Sequence, residues 1–215
     1  MATSLQKGSA AYNAIASGAS ALEVQNFGLE VVDLPVYDDI SIAADTAVVS
    51  ATMFQTPVGQ NGKTYADTNL VQAGQLEGGQ AFRVRGFALT VLPTAAPVDI
   101  IALAQNCHLN FTISSGRSYW LAPCIFLPGG NVPIINAAAT TVAATQLITT
   151  SNGFPSVGNV RPLQYPVTIG DGEHFQWNFV VDTAWTTALA NATPVAGTGV
   201  KFWLHMYGDL FRFIR

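Results

Sequence analysis

Residues 107–113 read Cys-His-Leu-Asn-Phe-Thr-Ile. Side chains alternate across an extended chain, so Cys107, Leu109, Phe111 and Ile113 share one face while His108, Asn110 and Thr112 share the other. The pattern predicts a strand with one apolar and one wettable side. Residues 173–181 repeat it, with Phe175, Trp177, Phe179 and Val181 set against His174, Gln176, Asn178 and Val180. Two such strands belong to an antiparallel sheet that covers a core on one face only.

Working outward, Val32, Leu34 and Val36 alternate with Asp33, Pro35 and Tyr37, which predicts strand from Gly28 onward. Phe82 to Leu92 is a further strand, with Arg83 and Arg85 on one face and Gly86 at the place for a bulge. Ile40–Phe54 and Thr140–Thr150 are rich in Ala and β-branched residues and are expected as strands. Tyr119–Leu127 and Val200–Tyr207 are apolar or aromatic on both faces, as in strands covered on both sides. Two short helices are expected. One runs from Pro97 to Gln105 with Asp99 in its first turn; the other runs from Thr183 to Ala190, with Asp182 as its cap and Asn191 as its stop.

Nineteen Gly and eleven Pro punctuate all 215 residues, and no linker-like block divides them. The expectation is an N-terminal arm, residues 1–27, followed by one domain, residues 28–215. That domain is all-β: an antiparallel β-sandwich, a single jelly roll of seven or eight strands with short helical insertions. An α/β fold would need regular strand and helix alternation. In the arm, Tyr12, Ile15 and Leu22 stand among small residues; a helix there has a thin apolar stripe and must order against a partner or its own barrel.

Charged residues are only 10% of the chain, against about 25% in ordinary soluble domains. So little charge implies a surface covered by something. Thirteen acidic against nine basic residues, with no basic run, argue against sequence-wide nucleic-acid binding, and no apolar run nears the ~20 residues of a spanning helix. Residues 1–21 lack a compact apolar core segment, so no secretory leader is expected, and the sequons at Asn110 and Asn191 are expected to stay unmodified. Cys107 and Cys124 are read as two buried thiols, or else one bridge between neighbouring strands.

Motifs for chemistry are sparse. His108, His174 and His205 are scattered over three strands. Asp171, Glu173 and His174 could bind a cation or serve a β-sandwich enzyme, but Asp-Gly followed by clean alternation is the signature of a turn and a strand start. No His-x-His, Gly-x-Ser-x-Gly, phosphate loop or calcium loop occurs. The reading is of no enzyme, no cofactor and no metal. Glu30 with Asp33, and Asp38 with Asp39, are read as loop carboxylates. Aromatic residues and isolated arginines form the composition that buried interfaces favour. The terminal stretch Leu210–Arg215 would be hazardous as a free strand edge and should be covered within the sheet or by a neighbour.

A small-residue arm, a charge-poor sandwich with Ala/Thr/Gly-rich loops, short helices between strands and a long aromatic last strand together resemble a viral single jelly-roll coat protein. The resemblance is closest to icosahedral bacteriophages and spans residues 28–215. It implies two facing four-stranded sheets, self-association into an icosahedral shell, and synthesis in the host cytoplasm before incorporation in the virion. The partners implied are copies of the same chain, other virion proteins and an internal lipid layer. With only Lys7 as a cation, the arm departs from the basic, genome-touching arms of many coat proteins. Subunit contacts are expected from Lys7, Tyr12 and Ile15 in the arm and from Phe211, Arg212, Phe213 and Arg215 at the tail. The alternative is a capsid decoration protein, spike or carbohydrate-binding module that uses Tyr119, Trp120 and Trp185.

Overall fold

Alternation of buried and exposed side chains organises nine strands in the computed structural model, which describes residues 5–91, 95–114, 117–127, 160–187 and 199–214. In chain order they are β1 (Leu29–Asp33), β2 (Val36–Ile42), β3 (Ala51–Met53), β4 (Gln80–Val91), β5 (Cys107–Ile113), β6 (Arg117–Pro123), β7 (Arg161–Ile169), β8 (Phe175–Val181) and β9 (Val200–Phe213). Three α-helices accompany them: α1 (Ala10–Ala16), α2 (Ala21–Gln25) and α3 (Pro97–Asn106). One sheet runs β1–β9–β4–β7, with β2 also on β9; the other runs β3–β8–β5–β6. All pairings are antiparallel. The chain is therefore an all-β sandwich.

The core lies between the sheets. Phe82, Val84, Phe87 and Leu89 of β4 and Phe202, Leu204 and Met206 of β9 face Leu109 and Phe111 of β5 and Phe175, Trp177 and Phe179 of β8, all buried. Trp177 is the centre of this packing: its ring meets Phe87 edge-on at 4.6 Å and stacks on Phe111 at 4.9 Å. Burying one such ring stabilises the fold by several kcal/mol, on the order of 3.

The expected strand beginning at Gly28 is two pieces. β1 pairs with residues 209–213 of β9 and β2 with residues 200–206, and Leu34–Pro35 breaks the ladder because proline has no N–H to donate. The bulge expected near Gly86 is present: Val84 faces Gly208 and Gly86 faces Tyr207, leaving Arg85 as the extra residue.

Other expectations need correction. Residues 43–50, inside the expected strand 40–54, leave the sheet, with Asp45 in the left-handed region at φ 53°. Residues 183–187 are not helical. Their hydrogen bonds go to the segment beside them instead, Val48 N–H to the Trp185 carbonyl and Thr187 N–H to that of Thr46, at 2.9 Å each. Thr187 also donates its hydroxyl to the Ala43 carbonyl at 2.7 Å, and side-chain bonding of this kind competes with helix. Thr140–Thr150 and residues 188–190 lie outside the described residues.

Tyr119–Leu127 is strand only to Pro123, followed by a 3-10 turn, Cys124–Phe126. Among the described residues nothing covers its second face. Trp120 packs against the core and Cys124 and Leu127 are buried within it, while Tyr119, Leu121, Ile125 and Phe126 stay exposed. For β9 the cover is real. The segment Lys63–Asn69 lies against its outer face, where the Trp203 indole donates to the Ala66 carbonyl at 2.9 Å.

The arm makes a second core on the outer face of the first sheet. Ser9 caps α1 through the Tyr12 N–H, and a Ser20–Glu23 capping box starts α2, so each short helix begins with a side-chain partner for one of its free N–H groups. Leu5, Ala11, Ile15 and Val24 then bury against Leu29, Ala81 and Phe211, with Phe27, Val31 and Phe213 around them. Arg83 seals the joint. Its guanidinium donates to the carbonyls of Ile15 and Ala19 at 3.4 Å, pairs with Asp209 at 2.9 Å and lies 5.4 Å over the Phe211 ring.

Candidate functional site

The chain-end residues singled out for subunit contacts do not converge on one surface. Ile15 and Phe211 are buried in the arm core, and Phe213, half-buried, sits across from Leu29 in the same cluster. Tyr12 is buried too, and its hydroxyl donates to the Thr168 carbonyl at 3.2 Å. Burial, helped by the nearby Glu173 charge, pushes that phenol up to about 12. Lys7 is exposed, 3.8 Å from Glu173, and Arg212 is exposed and paired with Glu30. Arg215 lies outside the described residues. Sequence alone could not separate residues that bury against their own chain from residues left for a partner, because both are apolar.

Charge is spent inside the molecule. Among the described residues, six basic side chains are engaged in ion pairs with the chain's own carboxylates. Lys63 bridges Asp38 at 2.5 Å and Asp39 at 3.0 Å; Lys201 bridges Asp39 at 3.2 Å and Asp67. Asp38 also accepts the Phe54 N–H at 2.5 Å. Its burial outweighs these partners and raises its pKa above the ordinary carboxylate range, whereas Lys201 and the Thr64 N–H hold Asp67 down to about 2. These carboxylates, read from sequence as loop residues, tie the 54–76 segment to β2 and β9.

The polar constellation at Asp171, Glu173 and His174 is a turn and a strand start. Gly172 has φ 74°, Glu173 accepts the Gly170 N–H at 2.7 Å, and β8 begins at Phe175. Among the described residues no group of three His, Cys, Asp or Glu side chains could hold a metal ion. Cys107 and Cys124 are both buried and unbridged, and burial pushes the Cys107 thiol up to about 12 and the Cys124 thiol higher still. Of the three aromatics proposed for sugar stacking, Trp120 packs into the core 5.6 Å from Trp177 and Trp185 packs against its edge. Tyr119 stays on the surface.

What the sequence did not disclose is an apolar face beside β6. Helix α3 buries Ile100 and Leu103 and turns Val98 and Ile101 outward, next to β6 and the 3-10 turn. Val98, Leu121, Ile125 and Phe126 are each between 59% and 63% exposed. Among the described residues, β6 is one of the two edge strands of its sheet. These side chains stand on elements that touch one another, and exposed apolar side chains gathered in this way mark contact sites. The signal in the sequence was the two-faced apolarity of 119–127, which a covered strand and a sticky edge share. No helix among the described residues is long and apolar enough to cross a membrane.

Comparison with protein-family models, with curated proteins and with solved structures gives no match to this chain.

Proposed function

We propose that this chain is a structural virion protein, a coat subunit of single jelly-roll type that self-associates into an icosahedral shell. The strand pairing supports the jelly-roll part. Counted as one interrupted strand, β1 and β2 pair with the last strand; β3 pairs with β8, β4 with β7 and β5 with β6. First with last, second with seventh, third with sixth and fourth with fifth is the nesting of one long antiparallel ribbon rolled into two sheets.

Such a fold serves unrelated functions, so the coat reading needs a site of its own. The observation that carries it is the exposed apolar face of Val98, Leu121, Ile125 and Phe126, on a chain whose charges are mostly paired internally. A surface both apolar and poor in free charge fits contact with copies of the same chain. The partners proposed are those copies, other virion proteins and an underlying lipid layer, with the exposed Lys7 and Arg212 as further candidates for contact. No catalytic role or cofactor is assigned to it.

The test is electron microscopy of the purified protein together with its mass in solution. Closed shells or regular capsomers are expected. A chain that stays monomeric under every assembly condition while binding a defined small ligand would overturn the reading.

A further inference from the structure

Strand β7 departs from its partner in an unusual way. Arg161 and Pro162 face Phe87 and Gly86, then Val167 and Thr168 face Val84 and Arg83, so the four residues Leu163–Pro166 stand opposite Arg85 alone. An excess of that size pushes the strand outward, and bulges of this kind gather where a side chain must be re-aimed. Here the displaced residues form one wall of a cleft of about 510 Å³; α1 and the edge of β6 supply the others through Tyr12 and Tyr119. That volume lies within the range of about 300–1,000 Å³ typical of small-molecule sites.

Three tyrosines meet there, Tyr12, Tyr119 and Tyr165, with Gln164, Pro166 and Thr168 beside them. None of the described residues lining the cleft carries a charge. Tyr12 spends its hydroxyl on Thr168, which fixes its ring as a wall. Tyr165 is 78% exposed, so a large ring face and a phenol stand open at the mouth. Neither the Tyr165 hydroxyl nor the Gln164 amide has a hydrogen-bond partner among the described residues.

The edge of β7 is unsuited to pairing with a strand from another copy. Pro162 and Pro166 lack an N–H and the bulge distorts the rest, which are the devices that block strand addition. What fits is a small neutral molecule with apolar faces for the rings and hydroxyls for the amide and phenols. We infer that this cleft is a binding site for a neutral saccharide, stacked on Tyr165 and Tyr119 and hydrogen-bonded by Gln164. The inference goes beyond self-association and does not depend on it.

The experiment screens the purified protein against an array of neutral and acidic oligosaccharides. Hits are then titrated, and saturation-transfer NMR is run with glucose, galactose, mannose and N-acetylglucosamine. Binding to at least one neutral glycan is expected, weakened about tenfold or more by Tyr165→Ala and within about threefold of wild type in Tyr165→Phe, since the ring and not the hydroxyl does the stacking. Gln164→Ala should weaken the same glycan, and Phe126→Asp, in the 3-10 turn and outside the cleft lining, should not. Unaltered melting of the exposed-site variants confirms that they fold. No neutral binder, binding to acidic glycans alone, or full binding by Tyr165→Ala would overturn the inference. So would loss of assembly in Tyr165→Ala without sugar binding by the wild type, which would make the cleft a subunit contact. Particle formation, followed separately by microscopy, keeps failure of the coat reading distinct.

Discussion

At the scale of single residues, the buried polar groups set the pH behaviour. His205 on β9 lies between Tyr37 and Tyr207, each 5.9 Å away, and burial pushes its pKa down to about 4. The folded chain therefore binds fewer protons than the unfolded chain between about pH 6.5 and pH 4. Stability falls as pH drops through that window and this contribution levels off below it, by up to about 3 kcal/mol. His205→Gln should flatten the slope between those limits, read as melting temperature against pH for the two proteins.

Lys63 gives the opposite sign. Lys63→Met leaves Asp38 buried without its cation, at a cost of about 3 kcal/mol near neutral pH by urea denaturation. Because burial already raises the Asp38 pKa, the loss should shrink as the medium is acidified and the carboxyl takes up a proton. A loss equal at all pH values would mean that the pair is not what holds the 54–76 segment.

At the scale of elements, the arm is the clearest case. Two helices of seven and five residues are too short to persist alone. They exist because Ile15, Val24 and Leu5 bury against β1, β4 and β9. Ile15→Ala should cost about 2–4 kcal/mol by the loss of buried methyl groups and the space they leave. The expected proteolytic signature is early cleavage between residues 16 and 28, where the arm detaches first. The same scale explains β4 against β9: a Cβ on Gly208 would run into the carbonyl oxygen of Arg83, so glycine is required where β9 passes the Arg83 backbone.

Across the whole molecule the prediction concerns assembly. Leu121 and Phe126 are exposed and pack little in the monomer, so Leu121→Asp with Phe126→Asp should change monomer stability by less than about 1 kcal/mol. The double variant should abolish shell or capsomer formation, measured by light scattering and microscopy. Particles indistinguishable from wild type would remove the β6–α3 face from the contacts and return attention to the chain ends.

The amino-acid sequence by itself determined much of the sandwich. Strands 107–113 and 175–181 follow from alternation, because a period of two has one buried face wherever it occurs. The Gly86 bulge and the helix starting at Pro97 follow from backbone chemistry that needs no partner. The turn at Asp171–Glu173 was legible for the same reason. Tertiary structure alone decided where apolar faces went. Tyr12, Ile15 and Phe211 resemble residues kept for a neighbour until the arm folds over β9, and Tyr119–Leu127 resembles a doubly covered strand until one side is left bare. The tyrosine cleft is equally hidden. Its residues come from positions 12, 119 and 163–168, and only the nesting of strands brings them together. Periodicity states that a face is apolar; which surface covers it is a property of chain segments far apart in sequence, and it is settled only when they pack.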